Sequence, residues 1–384
     1  MRILFVNYEY PPLGGGGGMS MRELAVELAR RHEVMVLTSG TPELAARERL
    51  DGVEIVRVPV PGRGSQSVAS LSSMAGFMWG GRKLGLQVAR EFRPDVINTW
   101  FALPSGPVGD YLARQLRVPH LMDLHGGDVY DPSKWMSPHR WPCLRRYVGR
   151  LIRRANRVAA VSSELRDRAG QYCGVDTQSI LVLPHGQRAP EVTPLSREVL
   201  GLPEEAFITA SVGRLIARKA YHRLIEALAL LDDDRAHLLL IGEGPLREEL
   251  QALAARLGVA ERVHLAGWVT DERKFQLLMA SDVFALSSLH EAFGVVYVEA
   301  MYSGLPVVST IEGGQRDFLR HEVNALVLNE AEPARFAAAW RRLLDDEDLR
   351  RRLAAGARET AAELSIARMA QRYEAVFEEM AARS

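Results

Sequence analysis

Short β-branched and leucine-rich runs alternate with longer helical patterns along this chain, and the alternation starts twice. RILFVN, EVMVLTS, VEIVRV, DVINTW, PHLMDLH and RVAAVSS mark the first half, with MSMRELAVELARR between the first two. Strand, helix, strand repeated in this order specifies a parallel sheet with helices on its faces. A polar, Pro-rich stretch around 186–204 breaks the pattern, which restarts with FITASVG, RLIEALALL, HLLLIGEG and PLREELQALAARLG. A second sheet of the same kind should therefore begin near Phe207. At 384 residues the chain is too long for one ordinary core and long enough for two. The fold class is thus α/β, with two similar doubly wound units and a site between them. Ser20 and Glu23 have capping-box spacing, which starts the first helix near Met21. The closing segment SIARMAQRYEAVFEEMAARS aligns Ile366, Met369, Tyr373, Val376 and Met380 near one helical stripe.

Composition narrows the functional classes. A chain that is 47% hydrophobic and 25% charged, with a formal net charge of zero, suggests neither disorder nor general nucleic-acid affinity. Residues 1–190 nevertheless carry 25 Lys+Arg against 17 Asp+Glu, so the first half is basic and the second acidic. Cys143 and Cys173 stand thirty residues apart in no ligand-like or redox spacing. The N-terminal MRILFVNYEYPP has no signal-peptide pattern, and no apolar run reaches membrane-spanning length. These features lead to the expectation of a cytoplasmic protein, at most peripheral to a membrane.

Five stretches carry candidate chemistry. NYEYPPLGGGGGM runs from a strand end through Gly14–Gly18 into a helix, a place where backbone amides meet anions; a flexible connector also fits. SVGRLIARKAYHRLIEAL brackets a strand-to-helix turn with Arg214 and Lys219, two cations suited to a diphosphate without a metal, against a background of ordinary surface charge. LLLIGEGPLREEL, with the helix opening at Pro245, lacks the third glycine of the dinucleotide fingerprint and suits either a nucleotide-bordering turn or simple punctuation. STIEGGQRDFL offers the amides of Gly313 and Gly314 to an anion or to sugar hydroxyls. MDLHGGDVYD sets His125 and Asp128 after a strand, where a substrate-binding histidine and a structural one fit equally and a metal site fits poorly. Asp232, Asp233 and Asp234 lie at the amino edge of a strand and read as a solvated turn.

In order along nearly the whole chain, these stretches resemble glycosyltransferase family 4, the retaining nucleotide-sugar transferases of the GT-B fold. The most specific part is EAFGVVYVEAMYSGLPVV, from Glu291, which is similar to the family's E-x7-E signature and its Ala-x-x-x-Gly-x-Pro-Val-Val continuation. VGRL with a following Lys, GEGPLR, AGWV and the late Gly-Gly pair resemble further family elements. The resemblance implies two Rossmann-like domains facing a central cleft: an acceptor-side domain over 1–187, a linker over 188–204, a donor-binding domain over 205–364, and a helix over 365–384 crossing back to the first domain.

Carried over residue by residue, it assigns Arg214 and Lys219 to the donor diphosphate, Glu299 to the ribose and Glu291 to hydroxyls of the transferred sugar. Phe293, Gly294 and Val295 would lie near sugar and phosphate. Gly213, Gly242, Gly244, Pro245 and Val269 would border the nucleotide, while Gly16, Gly17 and His125 would face the reacting sugar. No cofactor or metal is implied. The family's Lys-Gly is Lys219-Ala220 here, its Asn-Gly is His185-Gly186, and Asp317 stands where the late Gly-Gly motif has Glu.

The implied activity moves a hexose from a UDP- or GDP-sugar to a hydroxyl of a glycan, lipid-linked or small-molecule acceptor. Alternatives are a sugar-nucleotide epimerase, a phosphorylase or a catalytically silent binding protein of the same fold. HRWPCLRRYVGRLIRRANR holds Arg140, Arg145, Arg146, Arg150, Arg153, Arg154 and Arg157, which form either a solvated helix face or a patch for an anionic membrane. The apolar stretch GSQSVASLSSMAGFMWGG is a further candidate for acceptor contact.

Overall fold

The computed structural model describes residues 1–60, 63 and 70–383, so the start of the apolar stretch at 64–69 lies outside the described residues. The chain divides into two compact units, Met1–Arg188 together with the chain from Ser365 onward, and Ala189–Leu364.

The first unit is built on strands β1 (Arg2–Val6), β2 (Glu33–Gly40), β3 (Arg47–Leu50), β4 (Val53–Pro59), β5 (Val96–Trp100), β6 (His120–Leu124), β7 (Arg157–Ala160) and β8 (Ile180–Val182). Their order is β3-β4-β2-β1-β5-β6-β7-β8, parallel throughout except for the antiparallel edge strand β3. Its helices are α1 (Gly16–Ala29), α2 (Leu71–Phe92), α3 (Gly106–Leu116), α4 (Pro142–Arg154) and α5 (Ser163–Cys173). Ile3 and Phe5 of β1 pack on one face with Leu24 and Leu28 of α1, while Leu4 and Val6 pack on the other with Phe77 of α2 and Leu112 of α3. A strand covered on both faces reads as a continuous apolar run, which is what RILFV is.

The second unit holds β9 (Phe207–Val212), β10 (Ala236–Ile241), β11 (Val263–Gly267), β12 (Val283–Leu286), β13 (Val307–Thr310) and β14 (Ala325–Leu328) in the order β11-β10-β9-β12-β13-β14, all parallel. Helices α6 (Arg197–Leu200), α7 (His222–Leu231), α8 (Arg247–Arg256), α9 (Asp271–Met279), α10 (Val295–Tyr302), α11 (Pro333–Asp345) and α12 (Glu347–Glu363) belong to it. The last helix, α13 (Ile366–Ala382), returns to the first unit, where Ile366, Met369, Tyr373, Phe377 and Met380 join the cluster around Ile3 and Phe5.

Several local expectations need correction. Helix α1 starts at Gly16 rather than near Met21, with Gly15 as an extended N-cap, so Gly16 and Gly17 occupy its first turn rather than a loop. Ser20 is buried inside the helix and Glu23 pairs with Arg22 and Arg188, so the capping-box spacing serves no cap. Phe377, absent from the expected stripe, is fully buried on α13, while Val376 packs partly buried against the same cluster. Helix α8 opens at Arg247, two residues after Pro245. Within the linker stretch 188–204, Arg197 of α6 donates to the carbonyls of Ala206 at 2.6 Å and Ala280 at 2.9 Å and pairs with Asp282 at 2.8 Å. In the aspartate run, Asp233 is held by Arg235 and Arg341, so that turn is tied down as well as solvated.

Phe377 is fully buried and lies edge-on to Phe5, with ring centroids 6.3 Å apart. Phe377→Ala should lower stability by about 3–5 kcal/mol, since a buried ring is lost and the sheet on one side cannot collapse into the gap. Urea unfolding followed by tryptophan fluorescence measures this.

Candidate functional site

In an open α/β sheet, ligands bind beyond the carboxyl ends of the strands where the strand order reverses. In the second unit the reversal falls between β9 and β12, which flank one another at the centre. The segment after β9 carries Gly213, Arg214 and Lys219; the segment after β12 carries Glu291, Phe293 and Gly294. The two are laced together: the Ser287 hydroxyl donates to the carbonyl of Ala220 at 2.9 Å, and the Leu289 amide donates to that of Arg218 at 2.8 Å.

Between them Lys219 Nζ donates to Glu291 Oε1 at 2.7 Å, with both side chains less than a tenth exposed. Burial alone disfavours a charged Glu291, but the charges of Lys219 and Arg218 outweigh it and hold the carboxyl down at about 2. The Glu291 carbonyl in turn accepts the Gly314 amide at 2.7 Å, which seats the Gly313-Gly314 turn beside it. Gly313 has φ +124°, and a Cβ there would lie 2.3 Å from the Glu291 carbonyl oxygen, so no side chain fits. Gly242 meets the same limit, since its Cβ would lie 2.1 Å from the carbonyl oxygen of Gly213. Gly244 packs on Leu215, while Pro245 is exposed and Val269 partly buried in the turns after β10 and β11.

Gly294, at φ +87°, is the N-cap of α10, whose first turn holds no acidic residue, so its amides and positive dipole end are uncompensated by a carboxylate there. Phe293 is buried against Phe318, and Val295 is partly buried at the helix start. Glu299 lies further along α10 and is bound by Lys274 of α9 at 2.8 Å. The two signature acids therefore have a lysine each, and Glu299 makes no hydrogen bond to Lys219. Arg214 is exposed in the segment after β9 that also carries Lys219. Sequence reasoning missed Lys274, whose only visible signal is a lysine on an otherwise unremarkable helix, and it did not anticipate that Lys219 and Glu291 form one pair.

In the first unit the order reverses between β1 and β5. His125 follows β6; its ring stacks on Trp100 of β5 with centroids 4.1 Å apart and lies 5.1 Å from the ring of His185. Burial and the His185 ring push the pKa of His125 well below the ordinary imidazole value, and burial takes His185 down to about 3. Both rings are neutral near neutral pH. Nε2 of His125 is buried without a hydrogen-bond partner among the described residues. Asp128 is structural: its carboxylate accepts amides of Ala102 at 2.7 Å and Gly126 at 2.8 Å and so shapes the loop that carries His125. Gly17 faces Phe101, whose ring would stand 2.6 Å from a Cβ, and Gly16 has open space around it. His185 sits where the family pattern has Asn; the sequence marked the departure but not the stack.

The described residues contain no cluster of three or more metal-ligating side chains. They also include no helix long and apolar enough to cross a membrane.

Two parallel sheets of this kind define a GT-B glycosyltransferase fold. The likeness covers the whole of sucrose-phosphate synthase from Thermosynechococcus elongatus, at TM-score 0.86 and 22% identity over all of both chains. It also covers Anabaena HepE, solved in complex with UDP and with UDP-glucose, at TM-score 0.78 and 23% identity over 99% of this chain and all of that one. Residues 192–360 match the glycosyl transferases group 1 family and residues 14–187 match glycosyltransferase family 4. A lipopolysaccharide core biosynthesis glycosyltransferase of Rhizobium meliloti, LpsD, is 31% identical over 274 residues, 71% of this chain and 72% of that protein. The chain belongs to glycosyltransferase family 4 and is a glycosyltransferase.

The Glu291 carboxyl has a testable signature. Its pKa in the folded protein, about 2, lies below its ordinary 4.5, so the charged form stabilises the fold above pH 4.5 and this contribution is lost as pH falls toward 2. The stability difference between wild type and Glu291→Gln should be largest near neutral pH and shrink steadily through that window, as read by urea unfolding at a series of pH values.

Proposed function

We propose that the protein is a retaining hexosyltransferase that takes its sugar from a UDP- or GDP-hexose and passes it to a hydroxyl of a glycan, lipid-linked or small-molecule acceptor. The observation that carries this reading is the buried Lys219–Glu291 pair at the reversal of the second sheet, next to the open N-terminus of α10. That HepE has been solved with UDP and UDP-glucose supports a nucleotide-sugar donor, and the role of LpsD in its own organism supports glycan biosynthesis.

The barrier to transfer is charge separation, because the sugar becomes oxocarbenium-like as the diphosphate departs. Arg214, Lys219 and the α10 N-terminus stabilise the leaving diphosphate, with no divalent metal required. Lys219 is already neutralised by Glu291 in the pair, so the surplus positive charge comes from Arg214, Arg218 and the helix end. Glu291 fixes the lysine and offers its second oxygen to sugar hydroxyls, and Glu299, held by Lys274, binds the ribose. The bond from the anomeric carbon to phosphate breaks and the bond to the acceptor oxygen forms on the same face, with the acceptor proton passing to the leaving phosphate. Neutral His125, with Gly16 and Gly17, contributes hydrogen bonding to the sugar. Phe293, Gly294 and Val295 line sugar and phosphate, and Gly213, Gly242, Gly244, Pro245 and Val269 border the base. We place the reaction in the cytoplasm.

Arg214→Ala and Lys219→Ala should each reduce turnover on the order of 100-fold or more, as for loss of a preorganised charge partner, while wild type keeps its rate in excess EDTA. Near-normal rates in both variants contradict the diphosphate assignment, and complete loss in EDTA contradicts metal independence.

The acceptor side of the proposal includes peripheral contact with an anionic membrane through Arg145–Arg157. Helix α4 buries Val148, Gly149, Leu151 and Ile152 and exposes Arg146, Arg150 and Arg153, with Trp135 exposed nearby. Guanidinium groups beside an exposed aromatic suit an anionic interface. Wild type should co-sediment with phosphatidylglycerol vesicles at low salt, and Arg146→Ala with Arg150→Ala and Arg153→Ala should abolish it; failure of wild type to bind rejects this part.

A further inference from the structure

Arginines also converge at the opposite edge of the first sheet. Two contiguous concavities, about 230 and 510 Å³, share the walls Asp110, Arg114 and Arg154. Arg82 completes one, and Arg117 and Arg383 line the other, which reaches the start of β6. This is the amino end of the strands, whereas His125 and the first turn of α1 follow carboxyl ends.

Five guanidinium groups thus line one continuous surface with a single carboxylate, Asp110, which sits 3.4 Å from Arg154. Arg383 is paired with Glu379 at 2.8 Å, and Glu379 is shared with Arg157. Arg114 and Arg117 are exposed and make no side-chain hydrogen bond or ion pair among the described residues. Helix dipoles explain part of this, because Arg114 and Arg154 close the last turns of α3 and α4, where cations are favoured. They do not explain Arg82, which comes from the interior of α2, lies over the Tyr111 ring at 5.7 Å and donates to the Pro107 carbonyl at 3.3 Å. Like charges gathered around a concavity repel one another, and an anion with several oxygens relieves that repulsion through paired N–H donors.

We propose that this pocket binds a compact soluble ligand carrying two or more phosphate groups, at a site separate from the one that holds the sugar donor. Arg82 lines only one concavity and Arg117 only the other, with Arg114 and Arg154 shared between them, so a ligand with two phosphates can place one in each. The proposal does not depend on the donor assignment.

Isothermal titration of the full chain with inorganic pyrophosphate, in excess UDP so that any nucleotide site is filled, tests it. Binding should persist in UDP and be weaker by about tenfold or more for inorganic phosphate. Arg114→Ala with Arg117→Ala, and separately Arg117→Glu, should weaken pyrophosphate by about tenfold or more without changing the unfolding temperature or the response to UDP. Absence of pyrophosphate binding in wild type, or equal binding in both folded variants, overturns the proposal. Loss of phosphatidylglycerol vesicle binding in Arg114→Ala with Arg117→Ala also overturns it, by assigning the arginines to a lipid headgroup.

Discussion

The second unit's site depends on one buried ion pair. Removing Lys219 and Glu291 from water carries a desolvation cost that only close geometry and further hydrogen bonds offset, and breaking such a pair leaves an uncompensated charge. Here the pair spans the two segments that flank the strand reversal, and hydrogen bonds from the Leu289 and Gly314 amides and the Ser287 hydroxyl fix those segments on either side. The position of the Gly313 turn and the approach to the α10 N-terminus follow from it. Because the pair is neutral as a unit, it joins the two segments without adding net charge to them.

Close backbone approach is the second constraint. Gly213 and Gly242 touch where β9 and β10 end, and Gly313 touches Glu291, so these turns leave no room for side chains and present amides and carbonyls instead. The first unit solves the matching problem differently. Trp100, His125 and His185 stack, and Asp128 satisfies the amides of the loop between them and Ala102. Burial keeps both imidazoles neutral near neutral pH, which leaves each ring one donor and one acceptor nitrogen.

Sheet membership was legible because strands buried on both faces leave unbroken apolar runs, and RILFV, EVMVL and HLLLI are such runs. The edge strand β3 was not, since its sequence RERL alternates charge on an exposed edge, and β8 is only three residues long. The start of α1 was misplaced because Gly14–Gly18 carry no side chain to report a cap, and the Ser20–Glu23 spacing resembles one inside the helix. Motif spacing singled out Glu291, Glu299, Arg214 and Lys219, but pairing depends on which loops meet across the sheet. Lys219 and Glu291 are 72 residues apart, and Lys274 and Glu299 are 25 apart, distances over which local pattern says nothing.

On the proposed function, the carboxyl edge of the second sheet, organised by the Lys219–Glu291 pair, holds a nucleoside diphosphate. A ligand that binds only the folded protein raises its unfolding temperature by mass action. The direct measurement is the unfolding temperature of the wild-type chain across a panel of UDP, GDP, ADP and their sugars. A concentration-dependent rise is expected with UDP or GDP and their sugars; no rise with any member of the panel would overturn the assignment.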